Sequence, residues 1–167
     1  MPRDRDAIAA IIRAAFEASD HGHNGEVELV GALESDGDLV ISLVAVQDGS
    51  CCGHVALSRM TAEMDGAPCR ALGLAPLSVL PGSRRRGIGA ALMEAAIRAA
   101  REQGWQAIFL LGDPGYYGKF GFSAQKAKAF ASPYAGPYFQ LLALDNSLKI
   151  EGIGRADYAG AFAALEG

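Results

Sequence analysis

Three consecutive arginines directly precede two glycines near the middle of the sequence. The segment consists of Arg84, Arg85, Arg86, Gly87, Ile88 and Gly89. A helix that begins here offers N–H groups without intrahelical partners and a partial positive charge, and glycine lets a phosphate approach the backbone closely. Guanidinium groups add fixed positive charge. The segment therefore predicts a local anion site in an otherwise acidic chain.

Three phosphate-binding patterns compete for this segment. A Walker A loop is excluded because no Gly-Lys-Ser/Thr follows the glycines. A dinucleotide fingerprint would need Gly or Ala where Leu92 stands, and its glycines would follow the strand closely. The remaining pattern is a diphosphate bound by arginines and helix amides. The alternative is a solvated arginine turn before an ordinary helix.

The cysteines and histidines predict no metal centre. Cys51 and Cys52 are adjacent and Cys69 stands alone, so the two-residue spacing of a zinc knuckle or a redox pair is missing. His21 and His23 flank a glycine in a loop-like stretch, but no carboxylate or cysteine pattern completes a ligand set. We expect reduced thiols and no bound metal.

The anion segment lies between a predicted strand and the clearest predicted helix. Strand 71–80 precedes it, helix 87–103 begins in it, and a short apolar strand at 107–111 follows. This order predicts a βαβ crossover with parallel pairing of the two strands. Asp113 and Pro114 then supply an N-cap and an N1 proline for a short helix.

The other predicted elements make the sheet mixed. A hairpin of strands 39–47 and 53–60 turns at residues 48–50, and strand 71–80 continues this antiparallel meander. Further predictions are helices at 6–18, 26–33 and 114–120, a strand at 140–144 and a helical patch in the tail at 158–165. The fold class is α/β, with a mixed, mostly antiparallel sheet flanked by helices.

Composition excludes several classes of protein. The chain has 167 residues, half of them hydrophobic, which predicts one compact domain over residues 1–167. Its net charge of -4 argues against nucleic acid and anionic membranes as partners. No apolar run has the length of a membrane span, and the start has no signal-peptide core. We expect a cytoplasmic protein, and a homodimer is compatible with the sequence.

The RRRGIG segment resembles the pyrophosphate loop of the GNAT superfamily of N-acetyltransferases, whose pattern is Arg/Gln-x-x-Gly-x-Gly/Ala. Arg84, Gly87 and Gly89 stand at the motif positions. The preceding LSVLP is similar to the strand that leads into that loop. YYGKFGF is similar to the tyrosine helix and the Gly-Phe that follow the next strand. Together these motifs cover residues 39 to 144, most of the chain.

The resemblance implies the GNAT fold, with acetyl-CoA bound between two central strands that splay apart. Pro76 has no N–H to donate to a neighbouring strand, so we expect strand 71–80 to be poorly paired near its middle. The alternative is that Pro76 lies in an edge strand, which also accommodates proline. In the family, the backbone at the positions of Leu77, Ser78 and Val79 pairs with the pantetheine arm. An N–H near the splay polarises the thioester carbonyl.

The resemblance also implies a catalytic acid. Tyr117 stands four residues before Gly121, where the family motif places the tyrosine that protonates the departing sulfur. Tyr116 is the second candidate. The alternative for both is packing, because aromatic residues before a Gly-Phe commonly fill a core.

Two departures from the family pattern concern the site. Many members carry an asparagine just after the strand before the tyrosine helix, where this chain has Gly112. Strand 71–80 also has no carboxylate to act as a general base. Glu26, Glu28, His54 or a water chain are the alternatives, and we assign no base. The chain begins with a helix, where the family usually has a leading strand.

The implied function is transfer of an acetyl group from acetyl-CoA to a primary amine by direct attack in a ternary complex. The acceptor, a small molecule or a peptide, is not identified. We expect residues 20–33 and 123–139 to line its site. The alternative function, favoured by the missing carboxylate, is a non-catalytic acyl-CoA-binding regulatory module.

Overall fold

The structure, a computed structural model, describes residues 8, 10, 26–83, 87–145, 148–150 and 152–162. Several residues of interest lie outside the described residues, namely Arg84, Arg85, Arg86, His21 and His23. Ile8 and Ala10 are helical, in agreement with the predicted first helix. Within the described ranges, no helix is long and apolar enough to cross a membrane.

The described chain forms helices and strands in alternation. The helices are α1 (Glu26–Ser35), α2 (Ile88–Glu102), α3 (Pro114–Tyr117) and α4 (Ala124–Ala127). The strands are β1 (Leu39–Gln47), β2 (Ser50–Arg59), β3 (Thr61–Met64), β4 (Ala67–Cys69), β5 (Ala71–Val79), β6 (Ala107–Leu111), β7 (Phe130–Ala131), β8 (Phe139–Ala143) and β9 (Gly154–Asp157). Short 3-10 turns follow β5 and α3, at Pro81–Ser83 and Gly118–Phe120.

The chain divides into two compact units, and β5 contributes to both. The first unit contains the described parts of 1–57, 75–96 and 160–167. Its strands β1 and β2 form the predicted hairpin, with β5 beside β2. Asp48 and Gly49 have φ of 52° and 79°, the backbone that a two-residue hairpin turn requires. Helix α1 packs on this hairpin by placing Val30 against Ala56.

The second unit contains residues 58–74 and the described part of 97–159, with two sheets. In one sheet β6 lies between β5 and β8. Residues Ala71–Gly73 pair in parallel with β6, and β8 pairs with β6 in antiparallel fashion. The predicted parallel crossover and the mixed sheet are therefore confirmed. This parallel ladder ends before Pro76.

The other sheet of the second unit has the order β4-β3-β9-β7. We predicted none of these four short strands from the sequence. Strand β9 pairs with β3 in antiparallel fashion and with β7 in parallel. Buried residues from both sheets share one core, in which Phe109 lies 5.0 Å from Phe130 and 5.3 Å from Phe139, centroid to centroid.

The long helix and the tail show two further differences from the predictions. The buried face of α2 carries Leu92, Met93, Ala96, Ile97 and Ala100, whereas the predicted stripe included Ala95, which is exposed. The spacing remains helical, with the face rotated by about one residue. In the tail, residues 160–162 form a 3-10 turn, and residues 163–167 of the predicted helical patch lie outside the described residues.

Candidate active site

The start of α2 is the first part of the candidate site. Gly87 has a φ of 76°, a conformation that favours glycine, and its carbonyl accepts the first helical hydrogen bond, from the N–H of Ala91 at 3.0 Å. The N–H groups of Ile88, Gly89 and Ala90 therefore have no acceptor within the helix. The first turn of α2 contains no acidic residue. An anion at this position would meet free backbone donors and the positive end of the helix dipole.

Gly53 on β2 brings this helix start close to β5 within the first unit. A β-carbon at position 53 would lie 3.1 Å from Cγ2 of Ile88, 3.0 Å from Cδ1 of Leu92 and 3.3 Å from the carbonyl oxygen of Ser78. The predicted phosphate and pantetheine segments are thus neighbours across Gly53. We did not predict a role for Gly53, although a glycine inside a strand signals close approach of another segment.

The backbone of the predicted pantetheine segment lies at the end of β5. Leu77 and Val79 are half-buried, and Ser78 is buried with a hydroxyl that has no hydrogen-bond partner among the described residues. Just after the segment, the N–H of Leu80 donates to the carbonyl of Cys52 at 2.8 Å, which fixes the end of β5 to β2.

The predicted tyrosine helix belongs to the second unit. Asp113 is its N-cap, since its Oδ1 accepts the N–H of Gly115 at 2.9 Å, and Pro114 is the first helical residue. Gly121, at a φ of 98°, ends the 3-10 turn that follows. This confirms the predicted caps. They fix the direction of Tyr117 by local hydrogen bonds on both sides of it.

Tyr117 lies against the backbone of Gly112. A β-carbon at position 112 would overlap Cδ2 and Cε2 of the tyrosine ring. The ring of Tyr116 packs edge-on against that of Tyr117 at a centroid distance of 4.9 Å. Burial, with a smaller contribution from Tyr116, raises the pKa of Tyr117 to about 12, and burial also raises the pKa of Tyr116. The Tyr117 hydroxyl therefore keeps its proton at neutral pH.

Gln140 on β8 is a polar residue of this region that we did not predict. Its Nε2 donates to the carbonyl of Gly112 at 2.8 Å and to that of Tyr138 at 3.3 Å. Both partners are acceptors, so the amide nitrogen must face them. Its Oε1 is buried without a partner among the described residues. The only sequence signal was a glutamine in an apolar strand.

The structure leaves the general base unassigned. Glu28 on α1 is exposed, and the side chain of Glu26 lies outside the described residues. His54 on β2 is fully buried, and its Nε2 lies 2.9 Å from Oγ of Ser42. Burial lowers the pKa of His54 to about 4, so the imidazole is neutral at pH 7 and a weak base. Among the described residues, no group of three or more His, Cys, Asp or Glu side chains gathers as a metal centre.

Comparisons with known proteins identify the family of this chain. The profile of the acetyltransferase (GNAT) domain family matches residues 2–124. The uncharacterized N-acetyltransferase YhbS of Escherichia coli K12 is 35% identical over 123 residues, which are 73% of this chain and 70% of YhbS.

Two solved structures cover nearly the whole chain. A GNAT family acetyltransferase from Brucella melitensis, solved in complex with acetyl-CoA, is 34% identical with a TM-score of 0.80, over 97% of this chain and 94% of that one. YhbS from Escherichia coli, solved in complex with CoA, is 30% identical with a TM-score of 0.82, over 98% of this chain and 88% of that one. With its family profile, its relatives and its fold in agreement, the chain belongs to the GNAT family of N-acetyltransferases.

Proposed function

We propose that this protein transfers the acetyl group of acetyl-CoA to a primary amine, in a single N-acetyltransferase domain over residues 1–167. The observation that carries the proposal is the start of α2, where Gly87 adopts a positive φ and the following N–H groups lack helical acceptors. The relatives solved with acetyl-CoA and CoA support the same cosubstrate here.

The pyrophosphate of the cosubstrate binds at the segment from Arg84 to Gly89 in this proposal. The amides of Gly87, Ile88 and Gly89 donate to phosphate oxygens, and the guanidinium groups of Arg84, Arg85 and Arg86 supply charge. The backbone of Leu77, Ser78 and Val79 pairs with the pantetheine arm, and one of these N–H groups polarises the thioester carbonyl. The neighbouring positions of Ser78 and Ile88 around Gly53 support a shared role for the two segments.

In the proposed reaction the neutral amine nitrogen attacks the thioester carbonyl carbon, forming the C–N bond. Collapse of the tetrahedral intermediate breaks the C–S bond, and the electron pair leaves with sulfur. Tyr117 gives its proton to this sulfur, and Tyr116 is the second candidate for that role. The proton of the attacking amine goes to water, since no side chain is assigned as its acceptor.

The test of this function combines turnover with binding. Acetyl-CoA is incubated with the protein and a panel of amines, including peptides with free amino groups, and thiol release is monitored. Amine-stimulated release supports a transferase. Binding of CoA without stimulation by any amine would favour the alternative, a non-catalytic acyl-CoA-binding regulatory module, which the absence of a carboxylate in β5 favours.

Variants of the phosphate segment test the site separately. Arg84→Ala removes a charge-assisted hydrogen bond, and Gly89→Leu obstructs the approach of the pyrophosphate. We expect CoA affinity in calorimetry to fall by about one to two decades in each. Arg98→Ala, which removes an exposed arginine further along α2, is the matched control and should bind as the parent does. Unchanged affinity in Arg84→Ala and Gly89→Leu, with the fold intact, would remove the segment from the site.

A further inference from the structure

Three polar side chains of the first unit lie on three neighbouring strands of one sheet. They are Ser42 on β1, His54 on β2 and Ser78 on β5, and these strands lie side by side in the order β1-β2-β5. His54 and Ser78 are buried, whereas Ser42 is exposed. This polar row therefore extends from solvent to Ser78, in the backbone segment proposed to bind pantetheine.

The link between the first two members of the polar row is a hydrogen bond. Nε2 of His54 lies 2.9 Å from Oγ of Ser42, while Nδ1 of His54 is buried without a partner among the described residues. A buried N–H without an acceptor is rarer in proteins than a buried acceptor without a donor. The favourable tautomer therefore carries its proton on Nε2, donates it to Ser42 and leaves a free lone pair on Nδ1.

The pairing of β2 with β5 places Ser78 opposite His54. The N–H of Leu80 donates to the carbonyl of Cys52 at 2.8 Å, and two steps along these antiparallel strands the facing residues are Ser78 and His54. Residues that face each other in this way share a side of the sheet, with β-carbons about 4.5 to 5.5 Å apart. The Ser78 hydroxyl also has no partner among the described residues. Rotation of its side chain brings the hydroxyl within reach of Nδ1.

The polar row lies on the face of the sheet opposite α2. Gly53 faces Ile88 of α2, and successive side chains of a strand point to opposite faces, so His54 points away from this helix. Ala56, two residues further along β2, packs against α1 on the same face as His54. The row thus shares its face with α1, whose first residues belong to the segment 20–33 that we expected to line the acceptor site.

A buried histidine at this position lowers the stability of the fold. Burial lowers the pKa of His54 to about 4, and Nδ1 loses its contact with water without gaining a partner in return. An apolar side chain would avoid both costs. Residues that violate a local rule of folding at such a cost are expected at functional sites.

We propose that the polar row conducts the proton of the attacking amine from the thioester site to solvent. The inference rests on the proposed function, because it supplies the route by which that proton reaches water. In the tetrahedral intermediate an N–H bond of the former amine breaks, and its proton binds Oγ of Ser78. The proton already on that hydroxyl passes to Nδ1 of His54, the proton on Nε2 passes to Oγ of Ser42, and the Ser42 proton passes to water.

The imidazole stays neutral when these shifts occur together. One nitrogen gains a proton as the other loses one, so the ring changes its tautomer and not its charge. Such a relay suits a buried imidazole, which is a weak base. Exchange with water after product release restores the first tautomer.

The tautomer of His54 is measured first, without any reaction. Nitrogen-15 NMR of histidine-labelled protein separates protonated from bare ring nitrogens, and His54→Asn identifies the signals of His54 by their loss. At pH 7 we expect a neutral ring with its proton on Nε2 and a bare Nδ1. A proton on Nδ1 in the free protein would leave no acceptor for the relay and would overturn the proposal.

Kinetics of Ser42 variants test the outer end of the polar row. We expect Ser42→Ala to lower kcat at least about tenfold, with little change in the KM of the amine or in CoA affinity. Ser42→Thr restores a hydroxyl and should retain most of the parent kcat. Ser50→Ala, at another exposed serine of the same hairpin, is the matched control and should turn over as the parent does. Equal losses in Ser42→Ala and Ser50→Ala would overturn the proposal.

Ser78→Ala tests the inner end of the polar row. Its matched control is Ser58→Ala, because Ser58 on β2 is also buried with a hydroxyl that has no partner among the described residues, but it does not face Ser78. We expect kcat to fall at least about tenfold in Ser78→Ala alone. Acetylation of no amine by the parent, with CoA bound, would overturn the transferase function and the relay with it. Acetylation by the parent and equally by Ser42→Ala and Ser78→Ala would overturn the relay alone.

Discussion

The ring of Tyr117 lies on the α-carbon of Gly112, the residue that follows β6. Only hydrogen at this position leaves room for Cδ2 and Cε2 of the ring. The strand end therefore sets the place of the tyrosine, in addition to the caps of its own short helix. A side chain at position 112 would move the ring without touching its hydroxyl.

We predict that Gly112→Ala lowers kcat at least about tenfold, because the displaced ring carries the proposed acid away from its productive position. CoA affinity should change little. Gly118→Ala is the control, since position 118 has a helical backbone with nothing within 4 Å of an added β-carbon. Steady-state kinetics and CoA calorimetry on both variants check this. Parent-like turnover in Gly112→Ala would contradict a positional role for this contact.

Tyr117→Phe keeps the ring and removes the hydroxyl. An acid role predicts a fall in kcat of about 10² to 10⁴ with little change in CoA binding, whereas a packing role predicts nearly unchanged turnover. Tyr116→Phe is the matched variant, because we expect only one hydroxyl to reach the sulfur. If Tyr116→Phe alone slows, the assignment is off by one residue. If neither slows, no tyrosine acid operates.

Gln140→Met removes the donor that binds the carbonyls of Gly112 and Tyr138 while keeping a similar volume. We predict a fall in kcat of about tenfold, because the carbonyl of Gly112, next to the Tyr117 ring, loses the hydrogen bond from Gln140 that holds it in place. Gln106→Met is the control. It removes another carboxamide that binds backbone, the acceptor of the Arg70 N–H at 2.8 Å, just before β6 begins.

Each of these two glutamine variants should lose about 1 to 2 kcal/mol of unfolding free energy in urea. The kinetic loss should appear only in Gln140→Met. Equal kinetic losses in the two variants would show that Gln140 acts through general stability.

His54 should make the protein sensitive to acid. Its pKa is lowered from 6.5 to about 4 by burial, so the unfolded chain binds one more proton between these values. Stability from this group is complete above pH 6.5 and is lost as pH falls towards 4. The total is about 3 kcal/mol, at about 1.4 kcal/mol per unit of pKa.

The measurement is the urea unfolding free energy of the parent and of His54→Asn at pH 7 and pH 4.5. The parent should lose about 2 to 3 kcal/mol more than the variant over this interval. Since all other titrating groups are shared, the same loss in both proteins would contradict the lowered pKa.

Elements with local signals could be predicted from the sequence. The Asp48-Gly49 turn, the Asp113-Pro114 cap and the apolar period of α2 each specify their structure within a few residues. The parallel pairing of β5 with β6 followed from their order around α2.

Contacts between segments far apart in sequence could not be predicted. The pairing of Glu63 with Arg155 joins two short strands that have no distinct local pattern. The roles of Gly53 and Gln140 depend in the same way on partners elsewhere in the chain, namely Ile88 and Gly112. The motif placed Tyr117 correctly on a capped helix, but it gave no information on what the ring touches.

Strand β9 lies between β3 and β7, so this sheet is completed by the strand that is synthesised after the other three. During translation, β3 emerges from the ribosome long before its partner and presents an unpaired edge until Gly154–Asp157 follow. Gly154 also admits Phe130 and the Glu63 carbonyl at close range. If the ribosome stalled before Gly154, the nascent chain would lack β9. The core of the second unit would then be incomplete, however well the earlier segments had folded.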